Sequence, residues 1–173
     1  DEQNALASSV RGFAEQLRLT AAARTAADAT DDVVPQAWSA LAAQELLALP
    51  FDARISDVCV AVEELGRALA PGPIVPTILA GVLLNKYAGE SLRESVAAGL
   101  RDGSFSAAVS INGQLVGGSS VSTIVMPVDG RWCAVDTAAL ELKSVQGIDP
   151  TRRIAKVDGV TVDPDRVLTG LID

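Results

Sequence analysis

Three clusters in this 173-residue chain hold residue types able to do chemistry at the spacing in which they occur. Glu63-Glu64 is a paired carboxylate in a helical stretch. Adjacent helical positions point about 100° apart, so the two cannot clasp one substrate proton as a spaced acid/base pair would. A solvated face or an ion pair with Arg67, three and four residues on, is the reading that spacing favours. Gly117-Gly118-Ser119-Ser120 offers amides and hydroxyls that suit a phosphate or a ring carbonyl, yet it lacks the spacing of a P-loop or a dinucleotide turn, and a plain turn satisfies it equally. Asp149-Pro150-Thr151-Arg152-Arg153 sets two guanidiniums after a proline turn, a chemistry that holds phosphate or carboxylate, or that pairs Arg152 with a capping Asp149.

Other chemistries are closed off by what the chain lacks. It has no histidine, which removes histidine triads, imidazole bases and most metal sites. Its two cysteines, Cys59 and Cys133, lie far apart in different kinds of segment and read as buried small hydrophobes, not as a redox or metal pair. A formal charge of −8 argues against a nucleic-acid or anionic-membrane surface. The polar start Asp1-Glu2-Gln3-Asn4 is unlike a signal peptide, and the apolar runs are broken well short of a membrane span. A soluble cytoplasmic protein is the expectation.

The elements that must position these clusters change character near residue 100. Before it, apolar residues recur at helical spacing. Leu6, Val10, Phe13 and Leu17 share one face of a first helix. Pro35 opens a second helix carrying Trp38, Leu41, Leu46 and Leu49, with Pro50 as its stop. Ser56 suits the N-cap of a third, with Val58, Val62, Leu65 and Leu69 inward and Pro71-Gly72-Pro73 ending it. Two more helical stretches cover Thr77 to Leu84 and Glu90 to Leu100. Beyond residue 100, Phe105 to Ser110, Val121 to Met126, Trp132 to Val135, Leu140 to Ser144 and Arg153 to Val157 read as strands, with Val160 and Val162 in another. Asn112-Gly113, Asp129-Gly130 and Asp158-Gly159 are turn signals. The expected fold class is α+β: an N-terminal all-helical domain over 1–99 and a small antiparallel β domain over 100–173, packed together because no linker separates them. With 49% hydrophobic residues the chain can bury a core.

At these same residues the chain resembles the acyl-CoA dehydrogenase family, especially its divergent actinobacterial branch acting on bulky or unusual CoA thioesters. Trp38 to Pro50 is similar to a W-x-x-L-A-x-x-x-L-L-x-L-P segment. Val62-Glu63-Glu64-Leu65-Gly66-Arg67-Ala68-Leu69-Ala70-Pro71-Gly72-Pro73 is close to that branch's VEELGRALAPGP. Leu100 to Ala108 resembles the entry into the β domain, Ser122 to Val135 two strands around a D-G-x-W turn, and Asp149 to Ala155 a D-P-T-R-R-L-A element.

The resemblance implies a helical domain, a β domain and a C-terminal four-helix domain, the last of which is not present in this sequence. It implies FAD as cofactor and α,β-dehydrogenation of an acyl-CoA, in fatty-acid or steroid side-chain catabolism, with the catalytic carboxylate outside this segment. Electron-transfer flavoprotein would be the electron acceptor and a homo- or heterotetramer the assembly. Gly117, Gly118 and Ser119 align with the family's T-N-G element beside the flavin, Arg152 with a position near substrate or the domain interface, and Glu63 and Arg67 with structural positions. Two departures accompany the match: Phe51-Asp52-Ala53-Arg54 stands in place of a Gly-Gly-rich loop, and Ile111-Asn112-Gly113 follows directly where a T-E-x-x-x-G-S-D stretch is usual. These gaps fit part of a longer chain, or a reduced, non-catalytic subunit of a heteromeric complex; a cofactor-free helical-plus-β interaction module is the remaining alternative.

Overall fold

A run of helices gives way to a run of strands at residue 103, and the reason lies in the hydrophobic period of each half. The computed structural model describes residues 2–28, 35–117, 120–147, 149, 154–158 and 163–170. The helices are α1 (Glu2–Gln16), α2 (Leu19–Asp28), α3 (Pro35–Ala43), α4 (Leu49–Asp52), α5 (Ile55–Arg67), α6 (Ile74–Tyr87) and α7 (Glu90–Asp102). Helix α1 buries Val10 and Ala14 and lays Leu6 and Phe13 against the core, as its spacing requires, with Leu17 just beyond its end packed there too.

Four local expectations are corrected by the structure. Helix α2 is not among the helices the spacing predicts; it buries Leu19, Ala23 and Ala26, and a face made mostly of alanine gives little contrast to its own exposed alanines. The second expected helix stops at Ala43, with Glu45 at φ 57°, and Pro50 lies in the first turn of α4, where its missing N–H costs nothing. Ser56 is not a cap: Arg54 occupies that position, and the Ser56 hydroxyl donates to the Asp57 carboxylate. Leu69 is 57% exposed. It takes the left-handed position that ends α5 in a Schellman turn, closed by the Ala70 amide on the Leu65 carbonyl (3.0 Å) and the Leu69 amide on Gly66 (3.0 Å), so its side chain swings outward while Ala70 turns in.

The strands are β1 (Ala107–Ile111), β2 (Gln114–Val116), β3 (Thr123–Val128), β4 (Arg131–Asp136), β5 (Glu141–Val145) and β6 (Ile154–Asp158), in spatial order β4-β3-β1-β2-β6-β5. Asn112-Gly113 and Asp129-Gly130 close the β1–β2 and β3–β4 hairpins with positive φ at both residues, the conformation such dipeptides favour. The sheet is mixed, not wholly antiparallel: β1 and β3 run parallel, Ala107 opposite Thr123. The β1–β2 hairpin takes one edge of β1, so the returning chain pairs along the other edge in the same direction. The expected strand at Val160 and Val162, the Asp158-Gly159 turn and the Arg153 start fall wholly or partly outside the described residues.

Helices and sheet share a core. Ala107, Val125 and Ala134 join the cluster built on Leu41, Leu65, Ile74, Leu84 and Leu100, while Ala108, Leu115, Ile124, Cys133 and Val135 form a second cluster with Met126 and Ala155. Buried Thr77 of α6 ties the layers together, its hydroxyl donating to the Ala107 carbonyl (3.0 Å) and accepting from the Ala107 amide (3.0 Å). Cys133 is buried as expected; Cys59 is not, lying on the exposed side of α5.

Candidate functional site

The Glu63-Glu64 pair is split by the helix that carries it. Glu64 faces α1 with its side chain 7% exposed, and Arg11 grips it with two hydrogen bonds, Nε to Oε2 at 3.0 Å and Nη2 to Oε1 at 2.9 Å. Glu63 points outward to an exposed ion pair with Arg67. Arg67 also lies 3.7 Å from Glu64. The Arg11 hydrogen bonds hold the Glu64 carboxyl below its ordinary range, aided by the charges of Arg11 and Arg67 and opposed by burial. A carboxylate ionised in this way, with both oxygens bound by a guanidinium, is a structural anion and not an acid/base group. Sequence spacing identified Arg67 as a partner but missed Arg11, 53 positions away, because no local signal links α1 to α5.

Gly117 ends β2 at φ +77°, and the Ser120 amide closes a turn back onto its carbonyl (3.1 Å). A Cβ at Gly117 would stand 2.9 Å from the Pro73 Cβ, so packing against the α6 entry accounts for glycine here. Gly118, Ser119 and Arg152 lie outside the described residues. Beside Gly117, an apolar groove of about 380 Å³ runs between α6 and the β1–β2 hairpin, lined by Val75, Pro76, Leu79, Val109, Ile111 and Val116. Four of these are unusually open for apolar side chains: Val75 41%, Leu79 46%, Ile111 64% and Val116 48% exposed. No motif pointed to them. The available signal was that α6 carries apolar residues on more of its surface than one covered face can use, with polar side chains mainly in its last turn.

The described residues contain no group of three side chains able to hold a metal ion. No described helix is long and apolar enough to cross a membrane. Burial raises the Cys133 thiol above its ordinary range, which makes it unreactive.

No protein-family profile matches the chain. It is 31% identical over 169 residues to the acyl-CoA dehydrogenase FadE34 of Mycobacterium tuberculosis, a match covering 82% of this chain and 23% of that protein. The chain is related to the acyl-CoA dehydrogenases. A second relative, the acyl-CoA dehydrogenase IpdE2 of Mycolicibacterium smegmatis, is 28% identical, covering 91% of this chain and 51% of its own length. The fold agrees. A variant of the Tcur3481-Tcur3483 steroid acyl-CoA dehydrogenase superposes with a TM-score of 0.81 at 17% identity, over 98% of this chain and 57% of that one. The ChsE4-ChsE5 complex from Mycobacterium tuberculosis gives 0.81 at 14% identity over 97% and 57%, and an FAD complex of PigA 0.69 at 12% over 97% and 58%. The acyl-CoA dehydrogenase-like chain thus spans between a quarter and about half the length of the curated relatives it matches.

Proposed function

We propose that this chain supplies the helical wall (residues 1–99) and the β wall (residues 100–173) of an FAD-dependent acyl-CoA dehydrogenase site, the catalytic carboxylate lying in a further part of the protein. The observation that carries this reading is the open apolar groove between α6 and the β1–β2 hairpin, whose side chains no described residue covers. An apolar channel fits the acyl part of a thioester and the face of a flavin ring, since both are stabilised by leaving water. Val109, Ile111 and Val116 offer the flat side; Gly117, Gly118 and Ser119 are assigned to the flavin and Arg152 to substrate or the domain interface. FAD, when bound, accepts the hydride; the chain's own residues exclude water and hold the acyl group in line. Electron-transfer flavoprotein as acceptor, a tetrameric assembly and a cytoplasmic location belong to the same reading, and the ChsE4-ChsE5 neighbour, being a complex, supports pairing with a different subunit.

The full natural protein, purified with its partner subunits, is expected to show flavin absorbance and to hold an acyl-CoA. Leu79→Asp or Val116→Asp is expected to lower acyl-CoA or flavin retention at least tenfold while the melting temperature stays within a degree or two, because each side chain is already about half exposed. Wild-type protein that binds neither flavin nor acyl-CoA would overturn the assignment and leave the interaction-module reading.

A further inference from the structure

A second cleft, away from the apolar groove, concentrates charge. Four of the chain's fourteen basic residues, Arg11, Arg18, Arg24 and Arg67, line a single cleft of about 530 Å³ formed by α1, the start of α2 and the end of α5, together with Glu15 and Glu64. In a molecule of net charge −8 this is a local reversal of sign, four guanidiniums against Glu15, Glu64 and the Glu63 that pairs with Arg67.

The arginines divide into two kinds. Arg11 and Arg67 are anchored on Glu64, Arg67 also on Glu63, which fixes them as background charge. Arg18 and Arg24 are exposed and make no ion pair with any described residue. Arg18 takes a left-handed turn (φ 52°) at the α1–α2 corner, and its carbonyl accepts the Ala21 and Ala22 amides (2.9 and 3.1 Å). Leu19 and Thr20, also in the lining, therefore stand in the part of α2 whose N–H groups have no intrahelical acceptor. The Thr20 hydroxyl donates to the Ala68 carbonyl (3.0 Å), which holds α2 against α5 and keeps the cleft's shape.

We propose that this cleft binds a phosphate-bearing dianion, with Arg18 and Arg24 as its two binding guanidiniums. Arg18 and Arg24 line the same cleft and make no ion pair with any described residue, and a guanidinium fork can take two oxygens of a phosphate group. The inference is independent of the apolar groove and its ligand.

The test is calorimetric titration of the purified full-length protein with inorganic phosphate, pyrophosphate and adenosine monophosphate, at ionic strength held constant with chloride. Saturable one-to-one binding of at least one of them is expected. Tighter binding of adenosine monophosphate assigns the cleft to a phosphate ester, and tighter binding of pyrophosphate to a free anion. Arg18→Gln combined with Arg24→Gln is expected to weaken binding at least tenfold with the melting temperature unchanged. Arg93→Gln, an exposed arginine on α7 outside the cleft, is expected to leave it as it was. No saturation with any of the three anions, binding indifferent to the double substitution, or equal weakening by Arg93→Gln would each overturn the proposal.

Discussion

The α1–α5 seam and the α6–β1–β2 groove use their side chains in opposite ways. In the seam, Glu64 has every charge answered: Arg11 covers both its oxygens and Arg67 stands behind. In the groove, Val75, Leu79, Ile111 and Val116 keep about half their surface exposed, with no described residue across from them. A motif dense in charged residues has thus become a structural tie, while residues with no reactive group line the open groove. Burial of an ion costs far more than exposure of a methyl group, so a fold that buries a carboxylate must supply its partner, whereas an apolar side chain can wait for one.

The largest effect expected comes where the groove is anchored. Thr77→Val removes both hydrogen bonds to Ala107 and leaves that amide and carbonyl buried and unpaired, at a cost of about 2–4 kcal/mol in urea unfolding. Thr77→Ser, which keeps the hydroxyl, should recover most of the loss. If valine were tolerated as well as serine, the groove's base would not be held by that hydroxyl, and the contrast with the charged seam would fade.

A smaller and pH-dependent effect is expected in the seam. The folded-state value of Glu64 is lowered from its ordinary 4.5, so the tie stabilises the fold at every pH above that and is lost as pH falls through the folded-state value. Glu64→Gln should lower the melting temperature at neutral pH and flatten its decline in acid, while Glu63→Gln, outside and solvated, should do neither. Melting curves of the three proteins between neutral pH and pH 3 measure this; identical acid limbs for wild type and Glu64→Gln would mean the buried tie contributes nothing.

The smallest effect belongs to the open wall of the groove. Val75→Ser and Leu79→Ser are expected to change unfolding free energy by no more than about 0.5 kcal/mol, since the side chains are 41% and 46% exposed. A loss several times larger would show that the groove is part of the core rather than a surface in wait.

Much of the architecture was legible beforehand because helix and strand periods are local. Leu6, Val10 and Phe13 announced α1, and Asn112-Gly113 and Asp129-Gly130 announced their hairpins. Alanine hid α2, since a buried and an exposed alanine look alike in a hydrophobic pattern. Pro50 starts α4 where the spacing predicts the stop of the helix before it, because proline is compatible with either side of a helix boundary. Of the candidate site residues, Gly117 is in a tight turn as its type suggested, but Pro73 supplies the reason.

By itself, the sequence determined the change from helices to strands near residue 100, the Asn112-Gly113 and Asp129-Gly130 turns and the outward divergence of Glu63 from Glu64, all of which depend on residues within a few positions of one another. Tertiary structure alone decided that Glu64 meets Arg11, that Cys59 is exposed, that β1 and β3 run parallel, and which side of the largely apolar α6 is left uncovered. The physical reason is common to all four: pairing and burial are set by whichever distant segment arrives opposite a side chain, and hydrophobicity, being non-directional, does not specify that segment in advance.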